Sequence, residues 1–396
     1  RQRQMCIRDR RDAVEKSMKA GIMVITGGPG TGKTTLIRAI ITAAEQNGLE
    51  PALMAPTGRA AKRLAISSGR DADTIHKALE ASVRETGRTY FERNEANPLE
   101  EDLIIVDEAS MLDISLFYHL LCALKDGARL ILVGDIDQLP PVGAGEPLKD
   151  LMSWGYVPIV RLKRIFRQEE GSGIVENAAL IRKGEMCVPD EAGEFRIVYA
   201  ADDEDAYRIV MDLCRELNYG NEENKMLLQV LSPMYRGVCG VDHLNESLQE
   251  MIHGEKVPDG MKFFPGDKVM QTRNDYEKGI YNGDVGTVWT ATPQKVFVRY
   301  FDKEVVYEGE ERFDLRLAYA VTVHKSQGSE YETVIFILRP SQHNMLQRNL
   351  LYTGVTRARK NTILVTAPDA LRRALAIQHT GNRYSLFLPF LNHEAL

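Results

Sequence analysis

Residues Gly27 to Thr34 read GGPGTGKT, and this octapeptide limits the fold more than any other part of the chain. It matches G-x-x-x-x-G-K-[ST], a pattern that holds phosphate only between a strand and a helix. Both flanks are present. Ile22 to Thr26 (IMVIT) is a short apolar run of strand length, and Lys33 to Gln46 has helical periodicity. Glycines let backbone N–H groups curl around phosphate oxygens, and the helix N-terminus adds its positive end. Gly27, Gly28, Pro29, Gly30, Thr31, Gly32, Lys33, Thr34 and Thr35 are the candidate nucleotide-binding residues. Lys33 supplies a cation for the β- and γ-phosphates, and Thr34 a hydroxyl for Mg²⁺.

Further apolar runs follow at Ala52–Ala55, Leu103–Val106 and Leu130–Val133, with helical stretches at Arg59–Ile66 and Ile114–Leu124 between them. Strands without polar alternation, spaced by helices, predict a parallel sheet covered on both faces. The pattern restarts after Pro158. Gln229–Leu231, Ala318–Val323, Val334–Leu338 and Thr362–Val365 predict a second α/β unit. From about Val257 to Arg316 the helical period is replaced by alternation and by a hairpin signal, Asn282-Gly283. This predicts a small β-barrel or meander inserted in the second unit. A polar stretch at about 83–98 predicts a hairpin or loop in the first unit.

The length of 396 residues fits two or three domains at about 150 residues each. Net charge is −6, so any polyanion must bind a local basic groove rather than the whole surface. No apolar run approaches the roughly 18 residues of a membrane span. Five scattered cysteines without a CxxC pair argue for a reducing, cytoplasmic compartment and against zinc. Arg1–Arg10 lacks periodicity and reads as foreign to the fold, or as the ragged start of a fragment.

Two more strand ends carry polar groups. Leu103–Glu108 (LIIVDE) places Asp107 to hold Mg²⁺ and Glu108 to orient and deprotonate an attacking water. Leu130–Gln138 (LILVGDIDQ) places Gln138 to contact the γ-phosphate or that water, with Asp135 and Asp137 as caps of the following turn. In open α/β sheets such carboxyl ends share one edge, where ligands bind.

With these three motifs in order, the chain resembles the RecD-like group of superfamily 1 helicases. LMAPTGRAAKRL (Leu53–Leu64) is similar to that family's motif Ia and Thr74-Ile75-His76 to Ib. Arg164–Gln168 (RIFRQ) is similar to motif IV, AVTVHKSQGSE (Ala320–Glu330) to V and YTGVTRA (Tyr352–Ala358) to VI. The resemblance implies two RecA-like P-loop motor domains, at 1–165 and at 166–254 with 317–396, and an SH3-like insertion at 255–316. It implies ATP hydrolysis with Mg²⁺ at the cleft between the motors, driving movement 5′ to 3′ on single-stranded DNA and at forks. Arg167 and Arg357 are then arginine fingers on the γ-phosphate, a role worth roughly 10³–10⁵ in rate; Arg164 competes with Arg167. Phe166 is a candidate to stack on adenine or else a core aromatic, and by the same resemblance Glu330 either holds the ribose or caps a helix.

The resemblance also implies a strand groove lined by Pro56, Thr57, Arg59, Thr74, His76, Thr322, His324 and Lys325. Hydroxyls, backbone N–H groups and a few cations contact phosphates without reading bases. Tyr90 and Phe91 are candidates for the tip of a strand-separating pin, and Tyr281 and Asn282 for closing over the strand. The chain departs from the family in two ways. Arg10 stands where the family has an adenine-reading Gln, and the family's N-terminal region is absent. A monomeric motor core is expected. Alternatives are the helicase part of a conjugative relaxase, a nucleotide-gated DNA-binding switch and, less compatible with a second motor, a P-loop kinase.

Overall fold

The computed structural model describes residues 2–83, 89–162, 172–258, 260–275, 277–301, 303–378 and 387–392, with backbone only for 2–9 and 83. The chain divides into two compact units, residues 1–170 with 381–396, and residues 171–380. Among the described residues no helix is long and apolar enough to cross a membrane.

The first unit contains β1 (Ile22–Gly27), β2 (Pro51–Ala55), β3 (Asp73–Thr74), β4 (Ala81–Val83), β5 (Thr89–Phe91), β6 (Leu103–Val106), β7 (Arg129–Gly134) and β8 (Ile159–Leu162). Six of these form a parallel sheet in the order β3-β2-β6-β7-β1-β8. Neighbouring residues of one strand feed different cores. Met23 and Ile25 pack with Leu36, Ile37 and Ile40 on one face, and Val24 packs with Ile104, Phe117 and Leu120 on the other. That is why IMVIT carries no polar alternation: Met23 to Thr26 are buried and Ile22 partly so, and each Ile or Leu buried in this way is worth about 1.5–3 kcal/mol.

Helix α1 (Gln2–Ser17) covers the N-terminal stretch that lacks periodicity. Its C-terminal half is anchored by Ala13, fully buried in the core with Val14 and Met18 packed alongside. Helices α2 (Lys33–Gln46) and α3 (Gly58–Ser68) follow β1 and β2. β4 and β5 form a separate antiparallel ladder, with Ala81 opposite Phe91. The ladder spans Ala81–Phe91, overlapping only the first half of the polar stretch expected at about 83–98 as a hairpin or loop, and residues 84–88 lie outside the described residues. Phe91 is not at a tip: it is 8% exposed, and its ring stands 4.5 Å from that of His119. The short helix Phe387–Leu391 also packs on this unit, Phe387 edge-on against Phe117 at 5.7 Å. The sequence reading had assigned residues 317–396 to the second motor; the apolar FLPFL segment belongs by packing to the first.

The second unit opens with β9 (Phe195–Tyr199) and β10 (Leu228–Ser232). The inserted strands are β11 (Lys268–Gln271), β12 (Val285–Ala291), β13 (Lys295–Arg299), β14 (Glu304–Glu308) and β15 (Leu315–Leu317). β16 (Ala320–Thr322), β17 (Tyr331–Leu338) and β18 (Ala358–Thr366) complete the unit. Its main sheet is parallel, in the order β16-β10-β17-β18-β9. The insertion is antiparallel, in the order β14-β13-β12-β11-β15, around Phe263, Val269, Val288, Val298 and Tyr307.

A buried polar joint ties the insertion to the main sheet. Lys268, 1% exposed, donates to the Leu228 carbonyl and to Gln229 Oε1, both at 3.0 Å. Asp267, fully buried, accepts from Tyr319 Oη at 2.9 Å, with His253 Nε2 at the same distance. Lys225 reaches the Gly266 carbonyl at 2.5 Å.

Candidate nucleotide and strand-binding site

β1 ends in the phosphate loop because Gly30 and Gly32 take φ of 72° and 82°, where a side chain would be strained. Thr31 Oγ1 donates to the Gly28 carbonyl at 2.8 Å, closing the loop on itself. Lys33 Nζ lies on the loop's own carbonyls, 2.6 Å from Gly27 O and 3.2 Å from Gly28 O. Thr34 is half-buried at the start of α2 and Thr35 is exposed. Arg10 also reaches the loop, its Nη2 3.3 Å from the Thr31 carbonyl.

Two strands along the same sheet, β6 ends in Asp107 and Glu108, both 4% exposed. Glu108 takes φ of 52°, in the left-handed region, as it opens the 3₁₀ turn Ala109–Met111. Such a backbone costs a non-glycine residue about 1–2 kcal/mol and is typical of a functional corner. Gly134, at the end of β7, allows this corner to close: a Cβ there would stand 2.9 Å from Ser110 N. Burial, then the neighbouring Glu108 charge, holds Asp107 above the ordinary carboxylate range, with Arg63 and Lys33 opposing. Asp107 Oδ1 is buried without a hydrogen-bond partner among the described residues. A buried carboxylate oxygen left unpaired is costly, and this one suits a cation.

Gln138 is buried and donates from Nε2 to Asp135 Oδ2 at 3.3 Å. Asp135 also accepts from Asp137 N at 3.2 Å, so it caps the turn that follows β7. Arg63 was not singled out in the sequence, and it lies on the catalytic pair: Nη2 is 2.6 Å from Glu108 Oε1 and 3.7 Å from Asp107 Oδ2. The sequence did hold a signal. Arg63 follows Arg59 by four residues in α3 and so shares its face.

The groove candidates of the first unit sit at helix starts. Thr57 caps α3, accepting from Ala60 N at 3.3 Å, with Pro56 and Arg59 half-buried beside it. Thr74 caps the helix Ile75–Ala78, accepting from Lys77 N at 3.1 Å. The His76 ring lies 5.9 Å from that of Phe91, and burial lowers its pKa. These two hydroxyls therefore hold backbone.

In the second unit, Thr322 accepts from Lys325 N at 3.2 Å. Lys325 Nζ donates to Asn282 Oδ1 at 2.7 Å, joining motif V to the insertion. Burial, with Arg316 nearby, lowers the Lys325 pKa. His324 is half-buried. Arg357 is 2% exposed, with Nε on the Thr353 carbonyl at 3.1 Å and Nη1 on the Ser329 carbonyl at 3.2 Å. Among the described residues it is backbone carbonyls that orient this guanidinium. The Glu330 carboxylate is held by Arg359 at 2.9 Å. Phe166 and Arg167, with Arg164, lie outside the described residues.

Residues 10–144 match the AAA domain family, 244–300 the SH3 domain of ATP-dependent RecD-like DNA helicases, and 317–365 the UvrD-like helicase C-terminal domain. The chain is 39% identical to the ATP-dependent RecD2 DNA helicase of Deinococcus radiodurans over 92% of its own length, but spans only 50% of that relative. It is 33% identical to the RecBCD enzyme subunit RecD of Mycolicibacterium smegmatis, covering 96% of this chain and 74% of that one. Among solved structures, Pif1 helicase from Candida albicans superposes with a TM-score of 0.58 at 20% identity, covering 98% of this chain and 99% of that one. Bacteroides Pif1 bound to single-stranded DNA gives 0.57 at 20% identity, covering 90% and 91%. These likenesses share a fold of parallel α/β units. On the loop, the carboxylate corner, the inserted module and the RecD relatives together, the chain belongs to the RecD-like superfamily 1 helicases, a family of ATP-dependent DNA helicases.

Proposed function

We propose that this chain is the motor part of an ATP-dependent DNA helicase that moves 5′ to 3′ along single-stranded DNA. One observation carries the reading: a phosphate loop and a buried Asp-Glu corner share one sheet edge, and Asp107 presents an unpartnered oxygen there. Gly27–Thr35 holds ATP, with Lys33 on the β- and γ-phosphates. Thr34 and Asp107 are the residues that would hold Mg²⁺, which when bound neutralises charge on the phosphate oxygens.

Glu108 accepts the proton of the attacking water, whose oxygen bonds to the γ-phosphorus as the bond to ADP breaks. Gln138 orients that water. Arg357 is the finger for the developing charge, a role suited to a guanidinium that backbone carbonyls hold, and Arg167 is proposed beside it by resemblance. Thr57, Arg59, Thr74, His76, Thr322, His324 and Lys325 supply the strand contacts, the capping threonines through the helix N–H groups they arrange. The motor acts as a cytoplasmic monomer on single strands and forks.

The test is steady-state ATP turnover with single-stranded DNA, with duplex and without DNA, followed by forks with 5′ or 3′ tails. Strong stimulation by single strands, and unwinding only from 5′ tails, is expected. Turnover indifferent to DNA would replace this reading with the nucleotide-gated switch. Lys33→Ala is expected to abolish turnover while nucleotide-free strand binding persists. Normal turnover in that variant would overturn the phosphate site.

A further inference from the structure

The ion pair of Arg63 with Glu108 joins two parts of the first unit that the proposed function keeps separate. Helix α3 begins at Thr57 and Arg59, the proposed strand contacts, and Arg63 lies one turn further along the same face. From there its guanidinium reaches Glu108 Oε1 at 2.6 Å and lies 3.7 Å from Asp107 Oδ2. We infer that Arg63 is a positioning residue that restrains Glu108 until both a DNA strand and a Mg²⁺-nucleotide are bound, so that strand occupancy licenses hydrolysis.

Three observations carry this. First, a carboxylate oxygen donated to by a guanidinium at 2.6 Å has a charge-assisted bond that competes with any water for it. Glu108 cannot orient the nucleophile through that oxygen while Arg63 is on it. Second, the two carboxylates are almost fully buried, whereas the Arg63 side chain is 30% exposed. The cation is the more solvent-exposed partner, and backbone phosphates arriving one turn away at Arg59 offer it an alternative bidentate site. Third, if Arg63 leaves, two buried charges lose a compensating cation, which is unfavourable unless another replaces it. Asp107 has an oxygen ready for that replacement. Neither ligand alone releases Glu108 cheaply, and the two together do.

The link rests on the proposed helicase reading and makes a thermodynamic statement of its own. If the strand and Mg²⁺-nucleotide both favour the released state of Arg63, each must tighten the other's binding by the same factor. Single-stranded DNA affinity would be measured by fluorescence anisotropy, with and without a non-hydrolysable ATP analogue, in Mg²⁺ and in EDTA. Wild type, Arg63→Gln and Arg63→Lys would be compared. In wild type the analogue with Mg²⁺ is expected to tighten strand binding about tenfold, within the usual range of such couplings, and not in EDTA. In Arg63→Gln the factor is expected to fall to about one while DNA-free ATP turnover rises several-fold; Arg63→Lys is expected to lie between. Unchanged fluorescent-ADP affinity in EDTA would confirm a folded phosphate loop in each variant.

A wild-type coupling that persists undiminished in Arg63→Gln would overturn the link and leave the helicase reading standing. So would a parallel fall of DNA-free and DNA-stimulated turnover, which would make Arg63 a supporting rather than a restraining group. Absence of coupling in the wild type would overturn both.

Discussion

Arg357 shows how one residue's environment limits its role. It is almost completely buried, and its bonds run to Thr353 O and Ser329 O, with no counter-ion among the described residues, unlike Arg339, which pairs with Asp203 at 3.1 Å. Arg357→Ala is expected to preserve nucleotide binding and to lower DNA-stimulated turnover by about 10³-fold. Fluorescent-nucleotide titration beside steady-state kinetics separates the two quantities, and equal turnover would remove Arg357 from the catalytic set. His76 gives a pH effect. Burial lowers its pKa below 6.5, with Asp113 opposing. The folded state then binds a proton more weakly than the unfolded chain, so the contribution is whole above pH 6.5 and erodes as pH falls below it. The melting temperature is expected to fall between pH 7.5 and 5.5. His76→Phe, which keeps an aromatic beside Phe91, is expected to flatten that slope relative to wild type.

Among the elements, the joint between the inserted strands and the main sheet has the heaviest polar burden. Lys268 donates to Leu228 O and Gln229 Oε1, and it stands 5.4 Å from the Tyr219 ring centroid. Removing it leaves buried acceptors unpaired, each costing about 1–3 kcal/mol. Lys268→Ala is expected to destabilise the second unit by about 3 kcal/mol in urea unfolding, although Lys268 touches neither loop nor corner. A loss under ~0.5 kcal/mol, the scale of an ordinary surface substitution, would mean that the network does not fix the insertion. Lys325 and Asn282 form a second tie between the same two parts. Loss of that tie alone is expected to be milder, because the Lys325 side chain is only partly buried.

For the molecule as a whole, a net charge of −6 means that strand affinity must come from a few placed groups. Arg59, Lys325 and the helix starts at Thr57 and Thr74 amount to roughly three to five phosphate contacts. The slope of log affinity against log salt is then expected to be about −2 to −4, from −0.7 per phosphate for single strands. A titration from low to physiological salt checks this. A much steeper slope would point to a diffuse basic surface that the composition does not supply.

What the sequence by itself determined was local: the loop, the carboxylate corner, and the alternation of strands and helices. β6 was legible to the residue, because strands buried on both faces are unbroken apolar runs between turn signals, and α2 was equally clear from its period. The family followed from motifs in order. Tertiary structure decided what depends on contacts distant in the chain. α1 gave no periodic signal in the sequence, and its packing through Ala13 and Val14 is a tertiary contact. β9, an edge strand beside β18, has half-exposed residues and no continuous apolar run. Phe91 moved from an imagined tip into the core because His76 and His119 surround it. The spacing from Arg59 marked the face of Arg63, but its partner became legible only once the fold brought α3 to the end of β6. Its meaning lies in a 2.6 Å contact across 45 residues, and no spacing rule encodes a pair closed by a sheet.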